Sequence, residues 1–120
     1  MNRLLRIVPL VAWLVAGGQA YAQQPVIRDT DAASYVGQTV TVEGTVANVH
    51  VTKSGTTFLN FGSAYPNQTL TAVIFRSSRN RFPDVHQWEG KRVRVMGQVR
   101  LYRSRPEIIL NEPSQLVVVQ

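Results

Sequence analysis

From Gln38 onward the chain alternates, with Val40, Val42, Gly44 and Val46 on one parity and Thr39, Thr41, Glu43 and Thr45 on the other. An extended strand points successive side chains to opposite faces, so this period of two predicts a long half-buried strand reaching about Val51. Gly44 in its middle predicts a bend or bulge that lets one strand serve two sides of a curved sheet. After the turn residues Thr52 to Thr56, Thr57 to Phe61 reads as a second strand, with Leu59 and Phe61 inward and Phe58 and Asn60 outward. Gly62 to Gln68 is a loop by composition. A third strand, Leu70 to Arg76, turns Leu70, Ala72 and Ile74 inward and leaves Thr71, Val73 and Phe75 outward.

Ser77 is placed to cap a short helical connection through Arg79, Arg81 and Phe82, interrupted at Pro83, with Val85 and Trp88 adding apolar contacts. Lys91 to Leu101 alternates again, with Val93, Val95, Gly97, Val99 and Leu101 on one face. Pro106 to Leu110 predicts a short fifth strand, and Leu116 to Val119 packs the end. Upstream, Asp29 or Thr30 is placed to cap a brief helix stopped at Gly37, whose Ala33, Val36 and Tyr35 would plug one end of the fold. The spacing Gly37-x-x-Val40-x-Val42-x-Gly44-x-Val46 returns as Gly90-x-x-Val93-x-Val95-x-Gly97-x-Val99, a shift of 90 − 37 = 53 positions. Two glycine-bent strands of one design suit a barrel in which both coil around the same core. The expected core is Val40, Val42, Val46, Leu59, Phe61, Leu70, Ile74, Val93, Val95, Val99 and Ile108.

The first residues follow a different pattern. Arg3 and Arg6 precede an uncharged run from Ile7 to Ala16, and Ala20-Tyr21-Ala22 has the small-x-small form of a signal-peptidase site. Residues 1–22 are therefore expected to be a cleaved signal peptide, with residues 23–120 as one domain in the periplasm or outside the cell. A retained anchor fits less well, because a spanning helix needs roughly 20 mostly apolar residues and Gly17, Gly18 and Gln19 end the run early. No stable membrane span is expected after cleavage. The 120 residues include no cysteine, so the domain relies on its core even in a compartment that permits disulfides.

The formal net charge of the whole chain is +6. Without Arg3 and Arg6, 11 basic residues face 7 acidic ones, a net of +4. Nine of the basic residues lie between Arg76 and Arg105, against only Asp84 and Glu89, a local net of 9 − 2 = +7. Such a stretch either attracts a polyanion or serves as a solvated basic face.

The succession of three strands, a helical connection and two more strands resembles the OB-fold, a five-stranded Greek-key barrel. The resemblance covers Asp29 to Val119. It is sharpest in Tyr35-Val36-Gly37-Gln38-x-Val40, Thr57-Phe58-Leu59-Asn60-Phe61-Gly62, Gly90-Lys91-x-Val93-x-Val95-x-Gly97 and Tyr102-x-x-Arg105-Pro106-Glu107-Ile108. It implies an all-β domain similar to small bacterial nucleic-acid-binding or anticodon-binding-like modules, whose second and third strands and flanking loops form the ligand face. On that resemblance the candidate site residues are Lys53, Phe58, Asn60, Tyr65, Phe75, Tyr102, Arg103 and Arg105, with Thr71 beside them. Aromatic faces stack bases and cations meet phosphates. The alternative for Phe58 and Phe75 is cover by the N-terminal segment or the helical connection. Arg103 and Arg105 are candidate phosphate grips, whereas Pro106 is expected to start an edge strand and Glu107 to pair with a neighbouring arginine.

Catalytic chemistry finds little support. There is no cysteine nucleophile, His50 and His86 lack metal-motif spacing, and Asp29 and Asp31 suit a helix N-terminus better than a metal. Staphylococcal-type nucleases also use an OB barrel, but the acids here (Glu43, Asp84, Glu89, Glu107, Glu112) are scattered. The expectation is a binding module without enzyme activity, metal or cofactor. Its candidate partners are single-stranded DNA or RNA or another polyanion, or else an envelope protein or glycan in a stress-related role.

Overall fold

The computed structural model describes residues 25–120, so the expected signal peptide lies outside the described residues. Eight strands appear: β1 (Val26–Arg28), β2 (Thr39–Val51), β3 (Thr57–Phe61), β4 (Leu70–Ile74), β5 (Arg92–Gln98), β6 (Arg100–Tyr102), β7 (Arg105–Ile109) and β8 (Leu116–Val118). Of the five expected strands, four fall on β2, β3, β4 and β7 and the remaining one, Lys91 to Leu101, is divided at Val99 into β5 and β6, while the end-packing segment forms a further strand, β8.

That division closes the barrel. β2 pairs antiparallel with β3 and β5, β3 with β4, and β4 runs parallel to β7, while β6 pairs antiparallel with β7. One continuous stretch thus begins against β2 and ends against β7, joining the two margins of the sheet. The break is pinned from outside, because Gly37 N–H donates to the Val99 carbonyl and Val99 N–H to the Gln38 carbonyl, at 2.7 and 3.0 Å. The third and last barrel strands are thus parallel, and the fourth bridges first to last, which closes a five-stranded barrel. The two additional strands are short flanks, β1 parallel to β2 and β8 antiparallel to β5.

Both bent strands need their glycine for close approach. A Cβ on Gly97 would lie 2.8 Å from Ile108 Cγ2, and one on Gly44 would lie 2.9 Å from both the Asp29 carboxyl carbon and the Phe61 ring. All eleven expected core side chains are fully buried. Phe82 and Trp88 pack edge to face at 6.3 Å and, with Val85, join the same buried cluster.

The connecting helices depart from expectation in their detail. All are 3₁₀ helices, at Asp29–Tyr35, Arg76–Arg81, Val85–Trp88 and Pro113–Gln115. With about three residues per turn, side chains three apart share a face. The first helix turns its Ala32 and Tyr35 side to the barrel, burying the first and half-burying the second, whereas Ala33 and Val36 face solvent. Arg28 rather than Asp29 or Thr30 holds its N-cap position. The Asp29 carboxylate instead accepts from the Thr69 hydroxyl, tying the helix to the β3–β4 loop. Ser77 does not cap the second helix, whose N-cap is Phe75. Asp84 caps the third, accepting from His86 N–H at 3.1 Å.

Candidate functional site

Between Val46 and Asn48 the pairing of β2 with β3 slips by one residue, Val46 facing Phe61 and Asn48 facing Asn60. Ala47 is the extra residue of this bulge, and it reverses the alternation downstream. Val49 is buried, while Asn48 and His50 turn to the outer face. Asn48 then heads a row that crosses five strands, pairing with Asn60, which pairs with Thr71, then Glu107, then Arg100.

Side-chain bonds join the row in two parts. Asn60 Nδ2 donates to Asn48 Oδ1 at 2.8 Å, the Thr71 hydroxyl to Asn60 Oδ1 at 3.4 Å, and Gln68 Nε2 to the Thr71 hydroxyl at 3.2 Å. At its far end Arg100 Nε meets Glu107 Oε1 at 3.0 Å. Asn60 and Thr71 are consequently buried although they lie outside the hydrophobic core. Burial raises the Glu107 pKa, and the positive charge of Arg100 opposes the rise.

Four members of this row, Asn48, Asn60, Thr71 and Glu107, form the floor of a cleft of about 590 Å³. His50 and Phe58 line it beside Asn48 and Asn60, and Tyr65 reaches it from the β3–β4 loop. Tyr102, Arg103 and Arg105 line it from the β6–β7 hairpin. A neighbouring bay of about 200 Å³ shares Phe58, Tyr102 and Glu107 with the cleft and adds Phe75 and Arg100.

The hairpin that carries the arginines is a two-residue turn. Tyr102 pairs with Arg105, and both intervening residues have positive φ, 51° at Arg103 and 66° at Ser104. That is the mirror-image turn whose twist matches the flanking strands. It places the Arg103 guanidinium 5.3 Å from the centre of the Tyr102 ring.

Six of the eight sequence-selected residues thus share one cleft: Phe58, Asn60, Tyr65, Tyr102, Arg103 and Arg105. Phe75 is displaced to the bay, 42% exposed and without the cover the alternative supposed. Lys53, at the exposed β2–β3 turn, lines neither concavity. Glu107 pairs with an arginine as expected, but Pro106 does not start an edge strand, since β7 lies between β4 and β6. Pro106 sits one residue before the β4 ladder, which begins at Glu107, so its missing N–H interrupts no bond there. Asn48, His50 and Gln68 were not selected from the sequence. The one signal for the first two is the three-residue step from Val46 to Val49, which breaks the period of two.

The basic run is dispersed over several faces. Arg81 pairs with Glu112 at 3.1 Å, and Glu43 takes both Arg92 and Arg94 at 2.8 Å. Hydrogen bonds from Arg92 and then Arg94 lower the Glu43 pKa. Arg79 donates to the carbonyls of Phe82 and Pro83. Arg103 and Arg105 have no carboxylate within ion-pair distance among the described residues, which leaves their charge to the cleft. The described residues contain no group of three His, Asp or Glu placed to hold a metal, and no helix among them is long and apolar enough to cross a membrane.

No protein-family model matches the chain, and no curated protein matches it. Solved structures do. A chain assigned as an aspartyl-tRNA synthetase from Leishmania major Friedlin superimposes with a TM-score of 0.56 at 13% identity, over 93% of this chain and 26% of that one. The asparaginyl-tRNA synthetase of Pyrococcus horikoshii gives 0.53 at 15% identity, over 82% and 23%. An OBody, AM1L10, in complex with hen egg-white lysozyme gives 0.51 at 16% identity, over 78% and 92%. The chain spans about a quarter of either synthetase and nearly the whole OBody. Together with the strand order and pairing, these likenesses establish that the chain has the OB-fold.

Proposed function

We propose that this chain is an exported, non-catalytic OB-fold module whose cleft binds single-stranded nucleic acid or a similar polyanion. The observation that carries the reading is the convergence of Phe58, Tyr65 and Tyr102 with the uncompensated Arg103 and Arg105 around one cleft. Flat rings accept bases whatever their identity, and guanidinium groups accept phosphates, which is the combination a single strand requires. The synthetase likenesses, proteins named for tRNA, support the same class of partner. Export rests on the charged start, the short apolar run and Ala20-Tyr21-Ala22. It makes nucleic acid outside the cytoplasm the expected ligand.

A salt titration tests the reading. Neutralising phosphates releases counterions, so log affinity for a single strand should fall with log salt by about 0.7 for each phosphate contacted. Arg103→Gln with Arg105→Gln should reduce that slope by about 1.4 if each arginine meets one phosphate. Phe58→Ala should weaken binding by about 1–3 kcal/mol per lost stack while leaving the slope unchanged. Binding that is absent at low salt, or indifferent to all three changes, would refute the assignment.

One observation favours a second reading, an envelope protein or glycan partner. The OBody is an OB-fold seated on a protein, and the cleft floor here is an amide and carboxylate row of the kind that also hydrogen-bonds sugar hydroxyls. Retention by envelope glycans or proteins that persists at high salt, with no oligonucleotide binding, would select it.

A further inference from the structure

The cleft has two chemically distinct levels. Its rim carries Arg103 and Arg105, whereas its floor carries a carboxylate and side-chain amides. A phosphate is attracted to the rim and repelled by Glu107, so a bound strand keeps its backbone at the rim and turns a base downward. The buried part of the floor has spare capacity for accepting hydrogen bonds. Asn60 already donates to Asn48, Thr71 to Asn60 and Gln68 to Thr71. Gln68 Oε1 is buried with no donor among the described residues. Glu107, 7% exposed and lining both concavities, has one oxygen engaged by Arg100 and a second outside that ion pair.

We propose that Glu107 makes this floor a guanine-selective subsite, with its carboxylate accepting from the N1–H and N2 amino groups of the base. The proposal rests on the nucleic-acid reading and adds base identity to it. Guanine presents two adjacent donors on its Watson–Crick edge, the edge that single-strand binders read. Adenine and cytosine each offer one amino group beside acceptors. Thymine and uracil offer one imino donor between two carbonyls, which the carboxylate repels. Arg100 engages one carboxylate oxygen from the side of the bay and does not itself face the cleft, so the base is read by Glu107 alone.

Fluorescence anisotropy with a short thymidine oligonucleotide, and with the same strand carrying one central dG, dA or dC, tests this at a single salt concentration. The wild-type protein should prefer the dG strand over the all-thymidine strand by about 5- to 150-fold, the range of a good bidentate base contact. In Glu107→Gln the ratio should collapse toward one, because the amide offers a donor where the carboxylate accepted. Arg100→Gln, which keeps the carboxylate, should retain the preference, and thermal melts of each variant establish that it is folded. No dG preference in the wild-type protein overturns the proposal, as does a preference that survives in folded Glu107→Gln or vanishes in folded Arg100→Gln. Failure of every oligonucleotide to bind wild-type protein, with retention on an envelope glycan, overturns the nucleic-acid reading itself.

Discussion

The β6–β7 hairpin holds its arginines at a conformational cost that one substitution should relieve. Arg103 and Ser104 both have positive φ, at 51° and 66°, and neither is the glycine or asparagine such a turn favours. An L side chain in this left-handed region costs about 1–2 kcal/mol. Ser104→Gly removes that cost at one position, although the more flexible unfolded chain takes back about 0.5–1 kcal/mol. The net expectation is a stabilisation of up to about 1.5 kcal/mol, and for a domain of this size each kcal/mol raises Tm by roughly 4–8 °C. Ser104→Ala is the control, because it removes the hydroxyl but keeps a Cβ at the strained position. Thermal unfolding by circular dichroism should place Ser104→Gly above wild type and Ser104→Ala at or slightly below it. A Tm for Ser104→Gly below wild type, or an equal rise in both variants, would refute the strain account.

Gly44→Ala should lose about 1–3 kcal/mol in urea melts, the usual cost of overpacking, since its Cβ would sit 2.9 Å from both Asp29 and Phe61. Unchanged stability would show that the helix carrying Asp29 yields readily. Glu43 has a folded pKa below the ordinary 4.5, so its contribution to stability is present above that value and lost as pH falls through the lowered one. The Tm advantage of wild type over Glu43→Gln should therefore be largest near neutrality and vanish in acid. Glu107, raised by burial, has the opposite sign: its relative stabilisation is present below the ordinary value and lost as pH rises through the folded one. A Glu107→Gln melt series should show that loss removed. Mass spectrometry of protein from the envelope fraction should find Gln23 as the first residue; a full-length cytoplasmic product would contradict export.

The barrel strands were legible because each buries one face, and a buried face writes a period of two into the chain. Val40, Val42 and Val46, then Val93, Val95 and Val99, mark two long strands without reference to any partner. β1 and β8 carry no comparable pattern, since three residues are too few to show a period and both lie at sheet margins. Of the apolar side expected for the first helix only Tyr35 is partly buried, because sequence spacing alone does not say which side of a short helix meets the barrel. Ala32 with Tyr35 and Ala33 with Val36 are both three apart, so the turn offers either pair as a face, and it is the first that packs against the barrel.

The site was legible where it depends on side-chain type and hidden where it depends on register. Phe58, Tyr65, Tyr102 and the two arginines announce stacking and charge by themselves. Asn48, Asn60, Thr71, Glu107 and Arg100 become one row only when five strands are aligned, and Asn48 joins it only through the bulge at Ala47. The same register separates binding chemistry from folding energy. The inward faces of β2, β3, β4 and β7 supply Val46, Leu59, Ala72 and Ile108 to the core, while their outward faces satisfy one another's polar groups. Substitutions along the outward row should therefore alter what the cleft accepts more than whether the barrel forms. That separation is consistent with one fold recurring in two synthetases and an OBody at identities of 13–16%. The inward pattern has only to remain apolar and alternating, and the outward row is free to change with the ligand.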